Sequence, residues 1–228
     1  MIAKIKQLSF ADVLFVSGLT VLVGMLTYIA FEPSFLRAVD SQFTVSMDVT
    51  GELSFSTAAT NVTMGSIPGV TGGTTTGATQ VVVTTNNAAG YNMTLVTSST
   101  PAMQGEDNGG SIPDYTPVAG TVPDYSFITP LNSARFGYTV SASNTPDLDP
   151  SFQDNGSNTC GGGGNDGVDT CWLNASTSAE TLINRNSATL SSGSTSTIKF
   201  QLTINPNPAP AINTDTYTAT NTLTAVTN

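Results

Sequence analysis

The sequence predicts an all-β protein, an antiparallel β-sandwich preceded by one apolar helix at the N-terminus. Three observations predict this fold class. Segments in which apolar and polar residues alternate recur along most of the chain, connections rich in Gly and Pro separate them, and a long apolar run lies near the N-terminus. We therefore place a helix and a short tether in residues 1–41 and one extracellular β-domain in residues 42–228, which are enough to enclose a hydrophobic core.

The apolar run covers residues 11–31, and Asp12 is its only charged residue. A helix of this length extends about 30 Å, which matches the hydrocarbon core of a bilayer. Lys4 and Lys6 precede the run, and they orient the N-terminus toward the cytoplasm and the rest of the chain outside it. The run is either a retained membrane anchor or a signal peptide cleaved near Val39-Asp40-Ser41, and its extreme N-terminal position disfavours a buried core helix.

Alternation with a period of two marks the strands. In residues 42–50, Phe43, Val45, Met47 and Val49 would face one side of a sheet and the polar residues between them the other. Further strands are predicted at residues 53–55, 80–85, 91–95, 136–142, 198–204 and 217–226. Many short alternating strands are typical of an immunoglobulin-like or jelly-roll-type sandwich in which one side of each sheet faces solvent.

The connections contain residues that interrupt strands. Residues 86–90, between two predicted strands, predict a hairpin, and residues 65–77 predict a loop rich in Gly and Thr. Residues 101–130 contain five prolines and predict a long surface excursion with one edge strand near residues 126–128. Two phrases in this excursion are similar, Ile112-Pro113-Asp114-Tyr115 and Val122-Pro123-Asp124-Tyr125. Residues 177–186 predict a short helical turn.

Cys160 and Cys171 are the only two cysteines, and in an exported chain such an isolated pair predicts a local disulfide. Closing this glycine-rich loop stabilises the fold by about 2–3 kcal/mol. A zinc site is disfavoured because two thiols without His do not complete its ligand shell. Trp172 follows directly and is expected to pack in the core beside the disulfide, with stacking on a ligand as the alternative.

Acidic residues surround the cysteines and are weak candidates for calcium ligands: Asp147, Asp149, Asp154, Asp166 and Asp169. The twelve-residue calcium-loop pattern is absent, since Pro150 interrupts it and Phe152 occupies the position that requires Gly. We therefore interpret this region as a solvated acidic loop, and we predict neither a metal nor a cofactor.

The charge and the missing histidine disfavour two classes of function. The formal net charge is −10, so the surface repels phosphate, and we expect no nucleic-acid partner. The chain has no His, the commonest general base, and it lacks the Gly-x-Ser-x-Gly motif that presents a nucleophilic serine. We therefore expect that the protein is not an enzyme.

Several short phrases are similar to those of a known group of proteins. They are Asp154-Asn155-Gly156, Cys171-Trp172, Ile183-Asn184-Arg185, Lys199-Phe200 and the closing segment from Tyr217 to Asn228. In their order and spacing, residues 42–228 resemble uncharacterised secreted or cell-surface β-sandwich proteins of candidate-phyla bacteria. The architecture also resembles that of pilins and cell-wall-associated β-sandwich modules. The resemblance implies a surface location and a β-sandwich, but no activity.

Two functional hypotheses follow for an extracellular or cell-surface protein that is membrane-anchored or secreted. The first is a structural subunit of a surface layer or filament, whose partners are the membrane, through the helix, and other copies of the chain. The alternative is an adhesin or carbohydrate-binding module that binds a cell-surface glycan or protein through loops 101–130 and 144–170. Assembly discriminates between them, because a subunit polymerises whereas a binding module stays monomeric and is stabilised by its ligand.

Overall fold

The structure is a computed structural model that describes residues 9–30, 41–118, 120, 122–167 and 169–228. Two units are described separately, one ending at Asp48 and one from Val49 to Asn228. Lys4, Lys6, Val39 and Asp40, which carry the predicted topology signal and cleavage site, lie outside the described residues.

Helix α1, Phe10–Ala30, forms as the apolar run predicts. Asp12 caps its first turn, where its carboxylate accepts hydrogen bonds from the backbone N–H and the hydroxyl of Ser9. All described residues of α1 are exposed. The helix is long and apolar enough to span a membrane, a criterion that a signal sequence also meets.

Residues 41–52 form no strand, so the strand predicted at residues 42–50 is wrong. Its four apolar side chains, Phe43, Val45, Met47 and Val49, are 74–85% exposed. The backbone carbonyl of Thr50 accepts a hydrogen bond of 2.9 Å from Asn86 Nδ2. Alternation identifies a segment with one apolar face, but a strand also needs the backbone of a partner, and this segment has none among the described residues.

The described strands of the second unit account for the other predicted alternating segments. Their bounds are β1 Leu53–Thr57, β2 Gly73–Thr85, β3 Tyr91–Thr97, β4 Met103–Gly105, β5 Ser111–Ile112, β6 Ala134–Ala142, β7 Leu173–Asn174, β8 Glu180–Arg185, β9 Ser194–Ile204, β10 Tyr217–Thr218 and β11 Asn221–Thr227. Short 3-10 helices at Thr145–Asp147 and Pro150–Phe152 lie between β6 and β7.

These strands form three antiparallel sheets. The first has the order β1-β2-β9-β6-β7, the second β11-β3-β8 and the third β10-β4-β5. The ladder between β2 and β9 is the longest, running from Gly73 opposite Ile204 to Val83 opposite Ser194. The predicted antiparallel β-protein with an apolar N-terminal helix is therefore confirmed.

One hydrophobic core receives side chains from all three sheets. Tyr91, Tyr138 and Ile198 are among its largest fully buried members, and the rings of Phe136 and Phe200 stack with their centroids 5.9 Å apart. Each large apolar side chain buried in this way contributes about 1.5–3 kcal/mol.

Residues 86–90 do not form the predicted hairpin. They lead from β2 in the first sheet to β3 in the second, and the two strands do not pair. Gly90 has φ +81°, and a Cβ built there would overlap the carbonyl oxygen of Arg185. The turn residues were therefore recognised correctly, but they do not specify the sheet that the next strand joins.

The helical turn predicted at residues 177–186 is also wrong, because β8 occupies most of this segment. β8 pairs with β3, and its register shifts between Met93 and Thr94. This irregularity accompanies two consecutive buried residues, Leu182 and Ile183. The period of two, which would have revealed a strand, is consequently lost.

The excursion at residues 101–130 contributes β4 and β5, whereas the edge strand predicted near residues 126–128 does not form. The two similar four-residue sequences in this segment have similar structural roles. Asp114 forms an isolated bridge to Phe136, and Asp124 forms one to Trp172, so each phrase attaches the excursion to the core. The Tyr115 hydroxyl donates a hydrogen bond of 2.7 Å to Asp124 Oδ2, which joins the two phrases.

The predicted last strand divides in two. β10 pairs with β4, and β11 pairs with β3, with Ala219 and Thr220 between them. Tyr217, Leu223 and Ala225 pack against the core. The interruption directly precedes Asn221, the first residue of β11.

Candidate functional site

The structure contains the predicted disulfide between Cys160 and Cys171, with Cα atoms 5.7 Å apart. Trp172 is 2% exposed, and its indole N–H donates a hydrogen bond of 3.0 Å to the carbonyl of Asp169. The ring of Phe127 packs edge-on against it at 5.2 Å. Trp172 therefore packs in the core beside the disulfide, as predicted.

Two of the calcium candidates have structural partners near the 3-10 helices. Asp147 is buried and forms an ion pair with Arg185, with Oδ2 and Nη1 2.5 Å apart. Asp149 caps the second 3-10 helix, where Oδ1 accepts hydrogen bonds from the backbone N–H and the hydroxyl of Ser151.

Two further candidates accept hydrogen bonds from backbone N–H groups. Asp154 Oδ1 accepts a hydrogen bond from the backbone N–H of Gly156 at 2.8 Å. Asp166 Oδ2 accepts one from the backbone N–H of Ala142, also at 2.8 Å. Burial raises the pKa of the Asp166 carboxyl above its usual value.

The fifth candidate, Asp169, forms an ion pair with Lys199 on β9. The structure thus gives each of the five carboxylates a different partner. Among the described residues, no three acidic, Cys or His side chains are grouped closely enough to hold a metal ion.

The second unit also has a groove of about 1080 Å³, whose lining includes neither the disulfide nor the five acidic candidates. We call it the edge groove. The residues that line it are mostly apolar and come from segments far apart in sequence. Its principal apolar side chains are Val62, Met64, Ile67, Leu95, Met103, Ile112, Phe136, Ile198, Phe200, Leu202, Ile204, Ile212 and Leu223.

The floor of the edge groove is formed by alternate residues of β9. Ile198, Phe200, Leu202 and Ile204 all line it, and all four point into the core side of the first sheet. On the second sheet, Leu223 of β11 lies opposite Leu95 of β3 in the ladder and adds to the lining. The groove therefore extends between the first and second sheets.

The outer wall of the edge groove is residues 59–69, which run beside β2 without forming a strand. The backbone N–H groups of Thr60 and Gly65 donate hydrogen bonds of 2.8 Å to the hydroxyls of Thr79 and Thr75. This wall is therefore attached through threonine side chains, and among the described residues the β2 backbone from Gly73 to Gln80 pairs only with β9.

Two sheet edges flank the edge groove. Within the described residues, β11 pairs only with β3, and the part of β2 from Gly73 to Gln80 pairs only with β9, since β1 covers β2 from Val82 onward. An uncovered edge presents backbone N–H and C=O groups that can pair with another strand.

Asp215 lies at the mouth of the edge groove. Its carboxylate accepts hydrogen bonds from the backbone N–H groups of Asn108, Asp107 and Thr216. These bonds, with that from Asn108 the largest cause, lower the pKa of Asp215 below its usual value. Tyr217 is the other titratable side chain among the described lining residues, and burial raises its pKa. What this site offers a partner is apolar surface and free backbone edges.

No protein-family model, no curated protein and no solved structure matches this chain.

The edge groove is not predicted from the sequence. Of the two loops predicted as binding surfaces, only residues 101–130 reach the groove, through Met103 and Ile112. The missed wall carries a weak signal, the alternation of Val62 and Met64 ahead of Pro68-Gly69. The pattern is too short to predict a strand, and the structure forms none there.

Proposed function

We propose that this protein is an extracytoplasmic cell-surface structural protein, an anchored or secreted subunit of a surface layer or filament. Its second unit would be an immunoglobulin-like or jelly-roll-type β-sandwich, a durable module for such a role. The membrane is the proposed partner of α1, and other copies of the chain are the proposed partners of the β-unit.

The edge groove is the observation that carries this proposal. Exposed edges beside apolar surface are sites of uncontrolled association, and proteins that remain monomeric usually cover them or place charges on them. Here β11 pairs only with β3 among the described residues, and its outward residues Thr222 and Thr224 carry no charge. Such an edge favours self-assembly.

The proposed location rests on two features. The disulfide between Cys160 and Cys171 favours an oxidising compartment. Helix α1 supplies an apolar segment of the length that either export or anchoring requires. Protease added to intact cells should therefore digest the chain beyond Ser41, and digestion only after lysis would contradict this location.

The alternative, an adhesin or carbohydrate-binding module, receives less support from the two loops. Sugar-binding surfaces commonly present exposed aromatic rings to a ligand. In these loops Tyr115 and Phe152 are buried, and Tyr125 and Phe127 are partly buried, so their rings serve packing.

Assembly of the full-length chain tests the proposal. We expect purified protein in mild detergent to form ordered polymers as detergent is diluted, measured by sedimentation and electron microscopy. Ala219→Arg, which places a charge in the edge groove, should prevent assembly. Leu190→Arg, at a residue 77% exposed outside the groove, is the matched control and should assemble normally. Protein that stays monomeric at every concentration would contradict the proposal, and stabilisation by a glycan would favour the alternative.

A further inference from the structure

We infer that the edge groove binds residues 42–50 of a second copy of this chain, which add a strand to its open edge. The inference rests on the proposed function, since it names the partner and the contact by which the subunits would assemble. We call residues 42–50 the donor segment.

The donor segment has the form of a strand without a sheet. Phe43, Val45, Met47 and Val49 lie at alternate positions and are 74–85% exposed. Thr44, Ser46 and Asp48 lie between them. An extended segment with one apolar face is what strand addition to a sheet edge requires, because the backbone supplies hydrogen bonds and alternate side chains enter pockets.

The edge groove has a repeat that matches this segment. The floor side chains of β9 are also four in number and also alternate: Ile198, Phe200, Leu202 and Ile204. Alternate residues of extended strands lie about 6.6 Å apart, so four of them span about 20 Å on either strand. The apolar side chains of the donor segment therefore have the same spacing as those of the floor.

The edges beside the groove supply the backbone partners. A strand placed along β11 would pair with a backbone that, among the described residues, pairs only with β3. Its polar residues would then lie in the same outward row as Thr222 and Thr224 of β11, which are exposed. The added strand would thus continue both the apolar and the polar face of the sheet.

Four large apolar side chains of the donor segment would remove on the order of 600 Å² of their own surface from water. The groove has a volume of about 1080 Å³, which is larger than most small-molecule pockets. A chain segment would therefore fill the groove better than a small ligand.

The path of the chain favours a second copy over the segment's own groove. Thr50 and Glu52 are hydrogen-bonded to the side chain of Asn86, beyond the end of β2 that β1 covers. The edge groove lies along the other half of β2, near Thr75 and Thr79. The donor segment would have to reverse direction at Gly51 to enter its own groove, whereas entry into another copy needs no reversal.

Cysteine cross-linking of the full-length chain in detergent tests this inference. One preparation carries Ala219→Cys in the edge groove, and a second, with a tag of different size, carries a single cysteine in the donor segment. The native cysteines are already bonded to each other, so only the introduced thiols react. The donor cysteine is moved through residues 43–49, and the disulfide-linked heterodimer is measured after mild oxidation.

We expect an alternating pattern, with strong cross-linking from Val45→Cys and Met47→Cys and at least fivefold less from Thr44→Cys and Ser46→Cys. Leu190→Cys in place of Ala219→Cys is the matched control, and it should give weak cross-linking without alternation. Equal yields at even and odd positions would overturn the inference, because they indicate random collision. A disulfide within one chain, formed when Val45→Cys and Ala219→Cys are combined in a dilute sample, would overturn it too if the mixture gave no heterodimer.

A second experiment separates this inference from the proposed function. Val45→Arg changes only the donor segment, and Ala219→Arg changes only the groove. Neither variant should polymerise alone, and an equal mixture should form heterodimers through the one intact contact. If Val45→Arg polymerises as the unmodified chain does, the donor-segment inference fails while the proposed function stands. If the unmodified chain never assembles, the proposed function fails first.

Discussion

Arg185 Nη1 lies 2.5 Å from Asp147 Oδ2, and the two side chains are only 15% and 6% exposed. The pair joins the end of β8 to the 3-10 helix after β6. The same guanidinium donates hydrogen bonds to the carbonyls of Ser187 and Ala188, so it also fixes the turn toward β9. A buried carboxylate such as Asp147 destabilises the folded state unless a cationic partner lies beside it.

Removing this partner should be costly. Arg185→Met leaves Asp147 buried without its cation, and we expect the free energy of unfolding to fall by about 3–5 kcal/mol. Lys199→Met is the matched control, because its partner Asp169 is 48% exposed, and it should cost less than about 1 kcal/mol. Urea unfolding measures both variants, and equal losses would contradict the structural role of the buried pair.

Gly77 provides the space in which Val62 packs. A Cβ built on Gly77 would overlap Val62 Cγ1, so Gly77→Ala should displace the outer wall of the edge groove and cost about 1–3 kcal/mol. Val62→Ala removes that methyl group, and the double variant should therefore lose less stability than the sum of the two single changes. Gly51→Ala, at a position with open space around it, should change stability by no more than about 0.5 kcal/mol. Additive losses would show that the two residues are not in contact.

The disulfide should contribute moderately to stability. The loop between Cys160 and Cys171 has a sequence separation of 11, for which chain entropy predicts about 3 kcal/mol. The double variant Cys160→Ser/Cys171→Ser should lose this amount in urea unfolding, and reduction of the unmodified protein should give a similar loss. Labelling of denatured, unreduced protein should find no thiols, and two free thiols would rule out the bond.

Stability should rise as the pH falls from neutral toward about 4. Burial is the largest cause of the raised pKa of Asp114, Asp166 and Glu180. A carboxyl whose pKa is higher in the folded state binds protons more readily there, so stability decreases as pH rises through the interval from its unfolded to its folded pKa. Asp215 has a lowered pKa, so its contribution to stability is lost as the pH falls. That loss begins only below the ordinary pKa of an aspartate.

Urea midpoints at about pH 7 and about pH 4 measure this effect, since about 4 is the ordinary carboxyl pKa and the raised pKa values lie above it. Asp166→Asn should reduce the rise, because it removes one contributing carboxyl. Asp48→Asn, at an exposed residue outside the β-unit, is the control and should leave the rise unchanged. A midpoint that falls on acidification would contradict the prediction.

Much of the fold could be predicted because the alternation that reveals a strand is local. Ile198, Phe200, Leu202 and Ile204 are predicted from a seven-residue window, and all four are buried on β9. The irregular pairing of β8 removes that signal, since Leu182 and Ile183 are buried side by side. The part of β2 before Gln80 is hidden in a different way, because its Gly and Thr residues are typical of a loop.

Strand partners could not be predicted, since they depend on residues far apart in the sequence. β2 is followed directly by a turn and β3, yet it pairs with β9 instead. The edge groove has the same origin. Its walls combine Val62, Leu95, Phe200 and Leu223, and no local motif connects these residues. Residues 42–50 have the pattern of a strand, but among the described residues they pair with no other strand.

The ladder between β2 and β9 sets the order in which the chain can fold. Gly73 pairs with Ile204 and Val83 with Ser194, so the central sheet cannot close until residues more than a hundred positions further along the chain have been synthesised. Until then the apolar face of β2 is unprotected, and such surfaces are prone to aggregation. Long-range pairing of this kind also slows folding. The interval before β9 becomes available is therefore the stage at which this chain is most vulnerable to misassembly.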